Sequence, residues 1–282
     1  MAAKALVLGG GGITGIAWEI GILAGLAERG VDLTDADLVV GTSAGSVVGV
    51  DVRSGKPMSE LYERQTAPPQ NEIYAKMGVG LLAKYIVAAT FTRKPEVARQ
   101  RLGKLALDAQ TEPEDVRHRV IDSRLPIKDW PEAKLQITAV DAESGEFTVF
   151  DAASGVALVD AVAASCAVPG IWPPVTIDGR RYVDGGIRSP ANADLAAASE
   201  RVVVLAPLAR GLGPDSLGRQ VRRLREQGVQ VAVVTPDKAA LRTFGRNVLD
   251  PARRPAAARA GHDQADAVTA AVVAVWANQD QD

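Results

Sequence analysis

Residues 37–45 read Asp37-Leu38-Val39-Val40-Gly41-Thr42-Ser43-Ala44-Gly45, and this stretch decides the fold and the chemistry that the sequence predicts. Its first residues predict a short strand, and residues 45–50 can begin a helix. Between them lies the pattern G-x-S-x-G, whose two glycines allow a sharp turn without a Cβ clash. Ser43 would lie at the positive end of the helix, where developing negative charge is favoured. The stretch therefore predicts an exposed nucleophilic serine, although a turn whose glycines serve packing alone has the same pattern.

A run of glycines follows the first predicted strand, Lys4-Ala5-Leu6-Val7-Leu8, and reads Gly9-Gly10-Gly11-Gly12-Ile13-Thr14-Gly15. Consecutive glycines leave unobstructed backbone N–H groups at a helix entry, and such a nest binds a phosphate or the oxyanion of acyl transfer. Residues 10–15 also fit the dinucleotide fingerprint G-x-G-x-x-G. A dinucleotide site would require an acidic residue at the end of the second strand, where this chain has the Ser43 turn. The nucleotide interpretation is therefore the weaker one.

An aspartate precedes two glycines in Tyr182-Val183-Asp184-Gly185-Gly186. The residues before it, 175–182, predict a β-hairpin with Asp178-Gly179 as its turn. Asp184-Gly185 could form a second turn of the same kind, which is the structural alternative to a functional role. The nearby residues 167–174, with three prolines, predict a rigid loop.

In order and in type, these three segments resemble the patatin-like phospholipase family. The family has a glycine-rich oxyanion loop near the N-terminus, G-x-S-x-G soon after it, and D-G-G or D-G-A well downstream. Residues 164–174 are also similar to the family's segment before its aspartate, and the resemblance covers roughly residues 1–200. It implies that Ser43 is the nucleophile and Asp184 its base, with an oxyanion loop formed by Gly10, Gly11 and Gly12. The glycines that support these motifs are Gly15, Gly41, Gly45, Gly185 and Gly186.

The resemblance also implies a fold and an activity. We expect one hydrolase domain over residues 1–282, a three-layer α/β/α arrangement with a mainly parallel sheet flanked by helices on both faces. The implied activity is cleavage of acyl esters of lipids, as by a phospholipase A or lysophospholipase, with no cofactor and no metal. The family commonly has Arg at the position of Thr14, which puts any role of that Arg at the loop or at a lipid head group in doubt here.

The chain has two histidines, which bear on the choice of catalytic base. His118 lies in a charged helical stretch, where a solvated face is expected, and His262 opens the predicted final helix. Because His262 follows Ser43 and Asp184, the Ser–Asp–His order of α/β-hydrolases stays open. In those enzymes the nucleophile follows several strands, whereas Ser43 follows the second, so a Ser–Asp dyad is preferred. Asp has a reference pKa of about 3.9, so it would need a partly desolvated pocket to act as a base.

Composition fits one large α/β domain. The 282 residues are 47% hydrophobic and only 4% aromatic, with a formal net charge of −2, so no nucleic-acid partner is predicted. The lone Cys166 excludes an internal disulfide, suits a reducing compartment, and lies in an apolar run typical of a buried structural thiol. Residues 1–4 lead directly into a strand, so no signal peptide is expected and we predict a cytoplasmic protein. The sequence makes no prediction of oligomeric state.

Strands and helices alternate along the chain, which predicts a mainly parallel sheet covered on both faces. The predicted strands are residues 4–8, 37–41, 134–140, 146–150, 201–206 and 229–234, with the hairpin at 175–182. The predicted helices are residues 14–29, 43–53, 155–165 and 190–199, a mostly helical segment at 57–125, a basic helix between the last two strands, and helices at the end.

Residues 66–95 carry many apolar side chains with Lys and Arg around them. One interpretation is an amphipathic cap that admits acyl chains and transiently contacts a membrane surface. The other, slightly preferred, is a helix docked on the core. The leading function is a lipid ester hydrolase that acts on a lipid or acyl-ester substrate. A nucleotide-binding oxidoreductase and a catalytically silent lipid-binding module are the alternatives.

Overall fold

The computed structural model describes residues 3–68, 74–90, 92, 94–209 and 215–277. The strands are β1 (Lys4–Leu8), β2 (Leu38–Thr42), β3 (Lys134–Asp141), β4 (Phe147–Phe150), β5 (Val175–Ile177), β6 (Arg180–Asp184), β7 (Arg201–Leu205) and β8 (Gln230–Val234). The α-helices are α1 (Gly12–Glu28), α2 (Ala44–Arg53), α3 (Met58–Thr66), α4 (Val79–Thr90), α5 (Pro95–Leu107), α6 (Glu114–Arg124), α7 (Leu158–Ser165), α8 (Leu217–Glu226), α9 (Lys238–Phe244) and α10 (Arg254–Trp276). Short 3₁₀ turns lie at Gly185–Ile187, Ala193–Ala196 and Pro251–Arg253.

The strands form one mixed sheet in the order β5-β6-β3-β2-β1-β7-β8, with β4 paired to β3. Strands β3, β2, β1, β7 and β8 are parallel neighbours. In β1, Ala5 and Val7 belong to one apolar core and Leu6 and Leu8 to another, because alternate side chains point to opposite faces of a sheet. Helix α8 lies over the first core and helices α1, α2, α7 and α10 over the second. The predicted α/β fold, with a mainly parallel sheet and helices on both faces, is confirmed.

The antiparallel strands lie at one end of the sheet and place a strand end beside β2. Both β4 and β6 pair with Ala139 of β3, so they occupy opposite edges of that strand. Since β4 and β2 both pair with Thr138, they also lie on opposite edges. Strands β2 and β6 therefore share one edge of β3 and meet end to end, with Thr42 opposite Thr138 and Asp184 opposite Ala139.

Glycines let α1 and α10 pack backbone against backbone. A Cβ added to Gly21 would lie 2.1 Å from the carbonyl oxygen of Ala258, and one added to Gly261 would lie 2.3 Å from that of Trp18. Near the end of α1, a Cβ on Gly25 would lie 2.5 Å from the Cβ of Ala265. The second core thus depends on three positions that have no room for a side chain.

Two sequence predictions about helices are wrong. The helix predicted at 190–199 is a single 3₁₀ turn at Ala193–Ala196, because Asn192 takes a left-handed conformation with φ 51° and its side chain binds neighbouring strands and loops. His262 does not open the final helix, since α10 begins at Arg254 and His262 lies inside it.

The hairpin prediction is confirmed, with Asp178 and Gly179 both at positive φ between β5 and β6. Residues 69–73, 91 and 93 of the predicted cap lie outside the described residues.

Candidate active site

Ser43 lies at the sharp turn between β2 and α2. Its φ of 54° and ψ of −116° are unusual for a residue with a side chain, and strain of this kind is typical of functional turns. The flanking glycines are required by close approach: a Cβ on Gly45 would lie 2.1 Å from the Leu8 carbonyl oxygen, and one on Gly41 2.6 Å from the Ser46 Cα. Only 8% of Ser43 is exposed. The turn therefore places the Ser43 side chain at the carboxyl end of β2, where it is nearly buried and not exposed as the sequence predicts.

Three buried side chains hold the Ser43 backbone in this conformation. Its N–H donates to the Ser165 Oγ at 2.9 Å, and its carbonyl oxygen accepts from the Ser46 Oγ at 2.6 Å and from the Cys166 Sγ at 3.3 Å. Burial raises the pKa of the Cys166 thiol to about 11, so Cys166 is a neutral donor at ordinary pH. Sequence reasoning missed Ser46 and Ser165, whose only signal is a hydroxyl in an otherwise apolar run.

Asp184 ends β6 and is 5% exposed. Its backbone N–H donates to the Ala167 carbonyl oxygen at 3.0 Å, and its Oδ1 accepts from the Gly186 N–H at 2.7 Å. Burial raises the pKa of Asp184 to about 6, although hydrogen bonding from the Ser43 side chain and from Gly186 lowers it in part. The shared edge of β3 thus brings together a hydroxyl and a carboxyl group of raised basicity.

The glycine loop borders Ser43, since a Cβ on Gly10 would lie 3.5 Å from the Ser43 Cβ. The Gly10 N–H donates to the Pro190 carbonyl oxygen at 2.7 Å, and that of Gly9 is shared between the Leu205 carbonyl oxygen and the Glu19 carboxyl group. Within the described residues, the N–H groups of Gly11 and Gly12 have no acceptor. The loop thus offers two unused donors at the start of α1.

The same loop is tied to the C-terminal part of the chain. Gly12 has a positive φ of 61°, and a Cβ there would lie 2.7 Å from the Val248 carbonyl oxygen. Thr14 donates its N–H to that oxygen at 3.1 Å, and its Oγ1 lies 3.3 Å from it. Gly15 donates its N–H to the Gly11 carbonyl oxygen at 2.9 Å. Thr14 therefore anchors the loop from inside the core rather than reaching toward solvent.

Neither histidine contacts Ser43 or Asp184 in the described structure. The His262 Nε2 lies 3.0 Å from the Glu28 Oε2 at the last residue of α1, and its ring stacks on Tyr62. The His118 Nε2 lies 2.8 Å from the Asp160 Oδ1. Both rings therefore have structural partners.

Helix α4 covers the loop that leads to Asp184. The Tyr85 hydroxyl donates to the Pro169 carbonyl oxygen at 2.9 Å, and Leu81 lies against Gly170. Burial, with a smaller effect of the Asp184 charge, raises the pKa of Tyr85. On the outer side Ile86 and Val87 are 53% and 55% exposed. One face of the helix packs on the loop at Pro169 and Gly170 and on α5, and the Ile86 and Val87 side chains are more than half exposed.

Among the described residues, no helix is both long enough and apolar enough to cross a bilayer. In the same part of the chain, no three His, Cys, Asp or Glu side chains converge as they would around a metal ion.

Comparison with known proteins gives similar sequences in mycobacteria. An uncharacterized NTE family protein of Mycobacterium bovis is 29% identical over 202 residues, 69% of this chain and 48% of that protein. An uncharacterized NTE family protein of Mycobacterium tuberculosis matches equally well. The chain spans about half the length of these curated relatives.

Two solved bacterial protein structures align with most of this chain. VipD from Legionella pneumophila aligns with a TM-score of 0.48 at 12% identity, over 96% of this chain and 67% of that chain. The type III effector protein ExoU aligns with a TM-score of 0.42 at 15% identity, over 98% and 54% of the two chains. Residues 6–197 match the model of the family described as Patatin-like phospholipase. Since that match includes more than half of the chain, the protein belongs to the patatin-like phospholipase family.

Proposed function

We propose that this protein is a serine hydrolase that cleaves acyl esters of lipids with a Ser43–Asp184 dyad. The observation that carries the proposal is the meeting of β2 and β6 on one edge of β3, which puts the strained Ser43 turn beside a buried carboxyl group. The Asp184 pKa of about 6, against an ordinary value of 3.8, makes this carboxylate a stronger base than a solvated aspartate. At pH 7 most of it is still ionised and able to accept a proton.

The reaction proceeds by two acyl transfers. The Ser43 Oγ attacks the ester carbonyl carbon and its proton passes to Asp184, giving a tetrahedral oxyanion. Collapse breaks the carbon–oxygen bond of the ester, and the alcohol leaves with the proton from Asp184. Water then attacks the acyl-serine, its proton passes through Asp184 back to the Ser43 oxygen, and the fatty acid is released.

The oxyanion is stabilised by the glycine loop. We assign the donors to the N–H groups of Gly11 and Gly12, because these have no acceptor within the described chain while that of Gly10 is committed to Pro190. Gly10 then contributes by its lack of a side chain beside Ser43. The start of α2 adds the positive end of its dipole next to the Ser43 oxygen.

The substrate class rests on the family and on the surface of α4. We propose a glycerophospholipid or lysophospholipid ester, with transient contact between the lipid surface and the exposed Ile86 and Val87 of α4. Lys84 and Arg101 border a groove of about 410 Å³ between α4 and α5, so cationic side chains lie beside the apolar ones. This combination suits an interface between anionic head groups and acyl chains.

A fluorophosphonate probe followed by a lipid panel tests the proposal. Wild type should be labelled covalently at Ser43, as mapped by mass spectrometry, and the Ser43→Ala variant should not be labelled. Wild type should release fatty acid from at least one phospholipid or lysophospholipid, presented as mixed micelles and as vesicles. Labelling without hydrolysis of any lipid would leave a serine esterase with another substrate class. No labelling of the folded wild type, together with binding to vesicles, would favour a catalytically silent lipid-binding module.

The nucleotide-binding alternative is weaker on the geometry of the loop. Two of its glycine N–H groups already have acceptors, and β2 ends in the Ser43 turn rather than in an acidic residue. A titration with NAD and FAD on wild type decides it, since saturable binding without esterase activity would overturn the hydrolase proposal.

A further inference from the structure

Asn192 lies beneath the Ser43–Asp184 dyad and contacts the chain on both sides of it. It is fully buried, and its Nδ2 lies 3.0 Å from the Thr42 Oγ1 and 3.3 Å from the Gly185 carbonyl oxygen. Thr42 is the residue before the nucleophile and Gly185 the residue after the aspartate. One side-chain amide thus joins the ends of β2 and β6.

The orientation of this amide is fixed by its other partner. The Asn192 Oδ1 lies 2.8 Å from the Arg188 Nη1, and a guanidinium can only donate, so the oxygen must face Arg188 and the nitrogen must face the two strands. Arg188 is itself held by an ion pair with Asp194 at 2.5 Å and lies over the Phe147 ring. The amide therefore cannot flip without breaking a charge-assisted hydrogen bond.

Thr138 of β3 completes the cluster. Its Oγ1 donates to the Thr42 Oγ1 at 3.0 Å and also accepts from the Asn192 Nδ2 at 3.3 Å. A Cβ on Gly185 would lie 2.3 Å from the same Thr138 oxygen, so Gly185 must pack directly on it. The two strand ends are thereby held against the strand they share.

We propose that Asn192 is a positioning residue that sets the separation of Ser43 and Asp184 by binding the backbone and side-chain groups next to each of them. This inference rests on the proposed hydrolase function. A dyad has no third residue that could compensate for a change in the distance between Ser43 and Asp184. Displacement of a reacting group by about 1 Å can cost about a hundredfold in rate. The left-handed backbone of Asn192 aims its amide between the strands, which accounts for an asparagine at this position.

The test compares Asn192→Gly with two other variants. Glycine tolerates the left-handed backbone and removes the whole side chain with its amide, whereas Asn192→Asp keeps the shape but replaces the Nδ2 donor with an oxygen. The matched control is Gln264→Leu, which removes a buried amide that hydrogen-bonds to Trp18 and the Thr235 carbonyl oxygen and to neither residue of the dyad. All three variants are checked for folding by circular dichroism and thermal unfolding.

We expect kcat for a p-nitrophenyl ester to fall about a hundredfold in both Asn192 variants while KM changes less than about threefold. Gln264→Leu should lose thermal stability and keep its kcat. If Asn192→Gly keeps wild-type kcat, or if Gln264→Leu loses as much activity at equal stability, Asn192 has only a structural role and the proposal is overturned.

A readout that does not depend on activity separates this proposal from the proposed function. The Asp184 carboxyl group can be titrated by NMR with carbon-13 label, assigned with Asp184→Asn. Because hydrogen bonding from Ser43 lowers the pKa of Asp184, separation of the pair in Asn192→Gly should raise that pKa further, and Gln264→Leu should leave it unchanged. The other titratable groups coupled to Asp184, Tyr85 and Cys166, both have raised pKa values and stay neutral over the titration. An unchanged Asp184 titration in Asn192→Gly would overturn the positioning role even if wild type proved inactive on every ester.

Discussion

Ser43 reaches the candidate active site from the parallel half of the sheet, and Asp184 reaches it from the antiparallel half. On the parallel side, the turn between β2 and α2 sets the position of Ser43 by local geometry alone. On the antiparallel side the hairpin of β5 and β6 delivers Asp184 only because β6 pairs with β3 in one particular register. The position of the proposed nucleophile therefore depends on one segment, whereas the proposed dyad depends on strand pairing.

The largest effect is expected from removal of the antiparallel contribution by Asp184→Asn. Asparagine keeps the shape and can still accept from Gly186, but it cannot take the serine proton, so kcat should fall by at least about a thousandfold.

The raised pKa means that folding disfavours the charged Asp184, so stability is lost as pH rises from 3.8 to about 6. At pH 8 the free energy of unfolding should therefore be higher in the variant than in wild type by about 3 kcal/mol, as measured by denaturant unfolding. An active variant would remove Asp184 from the mechanism.

A somewhat smaller effect is expected on the parallel side from Gly11→Ala. The new Cβ would lie 2.5 Å from the Pro207 Cβ and 2.8 Å from the Gly15 Cα, so the loop must shift and take its unused N–H groups with it. Loss of an oxyanion donor costs about a hundredfold in kcat, with little change in KM. Gly218→Ala is the matched control, because its Cβ meets nothing within 4 Å, and steady-state ester kinetics should show it unchanged.

The pH profile of the reaction reports on the antiparallel side alone, because Asp184 is the group that titrates. The base must be ionised, so kcat/KM should fall about tenfold per pH unit below the Asp184 pKa of about 6 and should level off above it. The measurement is kcat/KM of wild type from pH 4.5 to 8.5 with an ester whose spontaneous hydrolysis is slow. A profile that is flat down to pH 4.5 would contradict the raised basicity of Asp184.

The smallest effect is expected from His262→Ala, which touches neither side of the dyad. His262 bonds to Glu28 and stacks on Tyr62, so its loss should lower stability modestly and change kcat by less than about twofold. The acid limb of the pH profile should stay where it is in wild type. If the variant is folded and inactive, a Ser–Asp–His triad replaces the dyad.

The sequence correctly predicted the elements whose formation depends on neighbouring residues alone. The apolar run of β1 and the Asp178-Gly179 turn follow from side-chain pattern and turn chemistry, and the structure has both. The prediction of a helix at 190–199 was wrong because the Asn192 side chain hydrogen-bonds to groups that are distant in sequence, among them Thr42 and Thr138. The meeting of β2 and β6 on one edge of β3 also depends on register across long separations, which no local pattern carries.

The close packing of α1 on α10 has a consequence for where this chain can be shortened. The family match ends at residue 197, whereas α10 begins at Arg254. Helix α10 packs directly on the α1 backbone at Gly21 and Gly25. A protein ended at residue 197 would expose this glycine-lined face of α1, together with the edge of β1 that β7 covers. We therefore expect such a fragment to aggregate on expression, and boundaries chosen for recombinant work should keep residues 198–276 with the matched region.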